Sequence, residues 1–159
     1  METVLILDFG AQYSQLIARR VREQNVYCEV KPCSISPAEI EKIAPIGIIL
    51  SGGPQSVYES VSPHVDPSLF ALGIPVLGIC YGCQLMAYSL GGTVAAATEA
   101  TAREYGKTLT EFDTDCSIFQ GLPASSVTWM SHGDYISQVP DGFAVTAKTA
   151  VCPTAAMAC

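Results

Sequence analysis

The sequence predicts an α/β protein: an open, mostly parallel sheet with crossover helices, followed by an antiparallel, β-rich C-terminal part. Three observations carry that expectation. Short β-branched runs alternate with helical patterns as far as Gly92, the arrangement of parallel strands joined by helices. Glycine-bearing loops follow candidate strands, where open sheets place their ligands. Beyond residue 93 the text changes to strand-like runs.

Val4 to Leu7 reads as the first buried strand. After Asp8-Phe9-Gly10, a helix over Tyr13 to Gln24 would place Tyr13, Leu16, Ile17 and Val21 on one face. Cys28 to Lys31 reads as a second strand. Ser36-Pro37-Ala38-Glu39 has the form of a capping box with proline at the first helical position, opening a helix to Ile43. Gly47 to Leu50 is the third strand and enters the loop Ser51-Gly52-Gly53-Pro54. Pro67 to Leu72 suits a short helix, and Pro75 to Ile79 a fourth strand. A helix from about Cys83 to Leu90 is stopped by Gly91-Gly92. The β-rich part reads as Thr93 to Ala97, Tyr105 to Phe112, Val127 to Met130 and Phe143 to Ala147. Ala155 to Cys159 looks like the start of another strand, so the chain is expected to be part of a longer one.

A length of 159 residues with 49% apolar and 14% charged residues fits one packed domain and excludes a disordered or fibrous chain. The net charge of -7, with no basic stripe, argues against a nucleic-acid partner. Seven cysteines are an odd number, and only Cys80 and Cys83 are closely spaced. Met1-Glu2-Thr3 lacks the basic start of a signal peptide. Reduced thiols in a cytoplasmic protein are therefore expected. No apolar run approaches the roughly 20 residues that cross a bilayer.

Among the strand-end loops, Gly78-Ile79-Cys80-Tyr81-Gly82 carries the chemistry. Glycine two residues either side of a thiol, between a strand and a helix, matches the nucleophile elbow, with Cys80 as nucleophile. The glycines allow a sharp turn, and the helix N-terminus behind it favours thiolate. The Tyr81 N–H can donate to a developing oxyanion, and the paired glycines after Ser51 could supply a second donor. A buried structural cysteine at a tight turn is the bland alternative. Cys80-Tyr81-Gly82-Cys83 also reads as the C-x-x-C of a thiol oxidoreductase, although such motifs follow an early strand and this one follows the fourth. No second Cys or His pair has zinc-ligand spacing, so no metal is expected. No Lys-Ser/Thr completes a phosphate loop.

Only His64 and His132 are present. His64 lies in a proline-bounded loop and reads as a solvated residue. His132, in Ser131-His132-Gly133-Asp134, sits in a polar turn able to hold a ligand's charged ends or to be plain loop. Neither stands out as a general base.

Taken together, Ile6-Leu7-Asp8-Phe9-Gly10-Ala11-Gln12-Tyr13-Ser14-Gln15-Leu16-Ile17-Ala18-Arg19-Arg20, Ile49 to Pro54, the Cys80 elbow with Gln84, and Ser131 to Asp134 resemble class I glutamine amidotransferase domains. The likeness is strongest to those serving purine nucleotide synthesis and covers essentially the whole chain. It implies a flavodoxin-like sheet with helices on both faces. It implies that Cys80 forms a glutamyl thioester and that glutamine yields glutamate and ammonia. Gly53 and Tyr81 would supply the oxyanion N–H groups, while Gln84, Ser131, His132, Gly133 and Asp134 would hold glutamine's α-amino and α-carboxylate ends. The ammonia would pass to a synthetase domain, in the same or a partner chain, that uses ATP and Mg to aminate XMP to GMP. The glutaminase domain itself is expected to need no cofactor. The family's base and orienting carboxylate lie in a His-Pro-Glu motif expected beyond residue 159, so 1–159 is expected to be one truncated domain with little activity alone. A non-catalytic glutamine-binding or partner-docking module is the competing expectation. Cys83, where the family more often has an apolar residue, raises the further hypothesis of a reversible disulfide with Cys80.

Overall fold

The computed structural model describes residues 2–97 and 103–159. The chain forms two compact units, Met1–Met86 and Ala87–Cys159.

In the first unit, β1 (Thr3–Asp8), β2 (Tyr27–Pro32), β3 (Gly47–Leu50) and β4 (Val76–Gly78) form a parallel sheet in the order β2-β1-β3-β4. All four expected strands form, β4 without Pro75 and Ile79. Their apolar runs are near-continuous because a parallel sheet is covered on both faces: Leu5, Ile6 and Leu7 are fully buried. The chain leaves β1 towards β2 on one side and later returns to β3 on the other. That reversal makes the β1–β3 boundary the switch point at which open sheets bind ligands. Leu7 pairs with Leu50 and Leu50 with Gly78, so three strands deliver their following loops at one level.

The helix α1 (Ser14–Glu23) forms where expected but with a different buried face. Tyr13 is 62% and Leu16 51% exposed, whereas Ser14 and Ala18 are buried. Ala18 packs with Ile6 and Cys28, flanked by Ile17 and Val21. Small residues four apart let the helix approach the sheet closely, and an apolar period cannot register them. Ser14 also donates to Asp8 Oδ1 at 2.7 Å. The helix α2 (Pro37–Ile43) carries the expected capping box: Glu39 N–H donates to Ser36 Oγ, and Ser36 N–H to the Glu39 carboxylate. Pro67–Ala71 is a 3-10 turn rather than a helix reaching Leu72. The helix α3 (Tyr81–Ser89) starts two residues before the expected Cys83. Gly82 reads as a loop residue, yet it is glycine because β3 passes so close.

In the second unit, β5 (Thr93–Ala96) pairs antiparallel with β8 (Asp134–Gln138). A second antiparallel sheet has the order β10-β9-β6-β7, from β6 (Glu104–Phe112), β7 (Ser125–His132), β9 (Ala144–Lys148) and β10 (Ala156–Ala158). The expected strands hold, including the apolar end at 155–159. The strand β8 is additional: Ile136 is its one buried side chain, so its alternation is weak. The strand β7 outruns Met130 because Ser131 and His132 pair with Tyr105 and Glu104. Among the described residues no helix is long and apolar enough to cross a membrane.

Candidate active site

Cys80 is the hinge between β4 and α3, one residue past Ile79. Its φ is +52°, the left-handed region that costs a side-chain-bearing residue on the order of 1–3 kcal/mol. The surroundings hold it there. Gly82 N–H donates to Ser51 O at 3.1 Å and Ile79 O at 3.0 Å, and the N–H groups of Cys83 and Gln84 both donate to Cys80 O, at 3.0 and 3.1 Å. The flanking glycines serve close packing: a Cβ on Gly78 would lie 2.6 Å from Cys83 Cα, and one on Gly82 would lie 2.6 Å from Leu50 Cβ. Cys80 itself is exposed. A sulfur at a strained strand-to-helix bend, with α3 beginning at the next residue, has the geometry of a nucleophile elbow.

The Ser51–Pro54 loop lies against it. A Cβ on Gly52 would come within 3.6 Å of Cys80 Cβ, and one on Gly53 would lie 2.9 Å from Phe9 O and 3.3 Å from Tyr81 Cγ. Neither the Gly53 N–H nor the Tyr81 N–H is hydrogen-bonded to another described residue. Tyr81 is fixed by its side chain: the ring is buried against Phe9 at 5.4 Å, and the phenol donates to Pro63 O at 2.6 Å. Burial pushes the phenol's pKa up, so it stays a donor. Gln84 is buried at 9% exposure on α3, one turn beyond Cys80.

Sequence reasoning missed Ser51, which is fully buried and meets all three loops. Its Oγ accepts from Phe9 N–H at 3.1 Å and donates to Gly52 O at 3.0 Å, and its carbonyl receives Gly82 N–H. Only its place directly before the glycine pair could have signalled it.

The second unit holds Ser131 to Asp134, and not as a free turn. Ser131 and His132 end β7, Asp134 opens β8, and Gly133 alone lies between, its carbonyl accepting from Ala97 N–H at 2.8 Å. The His132 ring is held by buried Glu104, with Nε2 3.1 Å from the carboxylate, whose other oxygen accepts from Thr149 Oγ1 at 2.6 Å. His132 Nδ1 is buried without a hydrogen-bond partner among the described residues. Cys152 completes a group whose donor atoms lie within 4.8 Å of one another. Glu104 and His132 Nε2 bond to each other and Cys152 Sγ donates to Thr154 O, which leaves His132 Nδ1 as the one without a partner among the described residues.

All seven cysteines are thiols, Cys80 and Cys83 included. Cys28 and Cys152 are buried, and burial pushes the thiols of Cys33 and Cys152 up, away from nucleophile chemistry. His64 is exposed, as expected.

The model of the family "Glutamine amidotransferase class-I" matches residues 5–158. The chain is 54% identical over 158 residues to a glutamine-hydrolysing GMP synthase of Clostridium botulinum (strain Alaska E43 / Type E3), covering 99% of this chain and 30% of that protein. It is 56% identical over 157 residues to the protein of the same description from Caldanaerobacter subterraneus subsp. tengcongensis, again 99% of this chain and 30% of the relative. The chain thus spans about a third of the length of these curated relatives. Among solved structures, a protein from Thermoplasma acidophilum described as one subunit of a GMP synthase superposes with a TM-score of 0.86 at 30% identity, over 99% of this chain and 78% of that one. A glutamine amidotransferase from Thermotoga maritima shares the fold, with a TM-score of 0.77 at 21% identity over 99% and 71% of the two chains.

Proposed function

This chain belongs to the class I glutamine amidotransferases, and from that premise we propose that it is their glutamine-hydrolysing unit, with Cys80 as nucleophile. The thiolate attacks the side-chain amide carbon of glutamine, and the carbonyl oxygen becomes an oxyanion facing the N–H groups of Gly53 and Tyr81. The carbon–nitrogen bond then breaks, the nitrogen leaves as ammonia after gaining a proton, and water cleaves the thioester to glutamate. Gln84 and the Ser131-to-Asp134 corner serve the amino acid's charged ends. The family resemblance puts the base and its orienting carboxylate in a His-Pro-Glu motif, a sequence that residues 1–159 do not contain. In the whole protein, working in the cytoplasm, the ammonia goes to a synthetase domain that uses ATP and Mg to convert XMP to GMP. The relatives of that name, 52% to 56% identical, support this destination.

The observation that carries the reading is the left-handed backbone of an exposed Cys80 beside two N–H groups with no partner among the described residues. A chloroketone analogue of glutamine should add once per chain, at Cys80, and the adduct should vanish in Cys80→Ala. Adducts spread over the seven cysteines would end the proposal. Ammonia release should appear when a downstream His-Pro-Glu segment is present. A binding-only module would release none with it or without it.

A further inference from the structure

We propose that Ser51 is a positioning residue that aims the oxyanion donor of Gly53; the inference rests on the glutamine-hydrolysing reading above. Its hydroxyl has one hydrogen, and two contacts decide where that hydrogen goes. Phe9 N–H points at Ser51 Oγ across 3.1 Å, so the oxygen accepts there, and its own hydrogen is left for Gly52 O at 3.0 Å. Gly52 O belongs to the same peptide unit as Gly53 N–H. In a trans peptide the two point in opposite directions, so holding the oxygen fixes the direction of the N–H.

The lock is needed because this peptide joins two glycines, whose torsions no Cβ restrains. Gly53 cannot simply be stiffened, because a side chain there would meet Phe9 O at 2.9 Å. The carbonyl of Ser51 meanwhile receives Gly82 N–H at 3.1 Å, one residue after the second donor, Tyr81. One fully buried serine therefore holds both donor-bearing segments in register with the β1 loop.

The test separates chemistry that builds an oxyanion from chemistry that does not. The γ-nitrophenyl ester of glutamate acylates a thiolate, releasing nitrophenolate through a tetrahedral oxyanion without needing a general acid. Iodoacetamide alkylates the same sulfur by direct displacement, releasing iodide. In Ser51→Ala the maximal rate of the nitrophenolate burst should fall about 10- to 100-fold, somewhat less than the loss of a whole oxyanion donor. The half-saturating ester concentration and the rate of Cys80 alkylation should stay within about twofold of the parent, within the spread of such measurements. Ser51→Cys, slightly larger and with a weaker donor, should show the same split with a smaller fall if the alanine variant does not fold. A burst at the parental rate in either variant, or equal loss of both reactions, would overturn the inference. No burst from the unaltered protein would sink the glutamine reading itself and take this inference with it.

Discussion

Cys80 occupies a conformation that suits glycine better than any other residue. Cys80→Gly should therefore abolish labelling by the glutamine analogue while raising unfolding stability by about 1 kcal/mol, read from the urea midpoint. A variant less stable than the parent would show that the left-handed turn is not strained. Much of this was legible, because glycines two residues either side of a thiol leave few packings other than a sharp bend. The hub residue Ser51 was not. A serine's usefulness depends on which backbone groups surround it, and those groups come from β1 and from α3, which the linear text does not bring together.

Among the elements, those whose signal is local were read well. The α2 start is an example, since a capping box lies within four residues. Ser36→Ala removes the hydroxyl's bonds with Glu39 N–H and the Glu39 carboxylate and should cost about 1 kcal/mol, and an unchanged thermal midpoint would contradict the capping role. Elements defined by their neighbours were read less well. The buried side of α1 is Ser14 and Ala18, because what faces a sheet at close range must be small before it need be apolar. The strand β7 extends through Ser131 and His132 only because β6 supplies partners for them, and β8 exists only because β5 lies beside it.

For the whole molecule, titration sets a window of stability. Hydrogen bonds from Ser36 and Ser68 hold the carboxyls of Glu39 and Asp66 below the usual carboxylate range. Their contribution is present above the unfolded values and lost as pH falls through the folded ones. Burial moves the thiols of Cys33 and Cys152 the other way, so their contribution is present below the ordinary thiol range and lost as pH rises through the raised values. The urea midpoint should be flat near neutrality and fall on both sides, with the alkaline fall reduced in Cys33→Ser/Cys152→Ser. A midpoint that climbs on the alkaline side would refute this. The overall class was legible from the change of pattern near residue 93, while the split of the second unit into two sheets was not, since it turns on one residue, Gly133. Neighbouring residues on a strand face opposite ways, so β7 works as a ladder with fixed rungs. One residue added near its end would turn the imidazole of His132 outward and put Ser131 opposite Glu104. Changes of length in this hairpin are thereby confined to the connection at 113–124, upstream of the first rung.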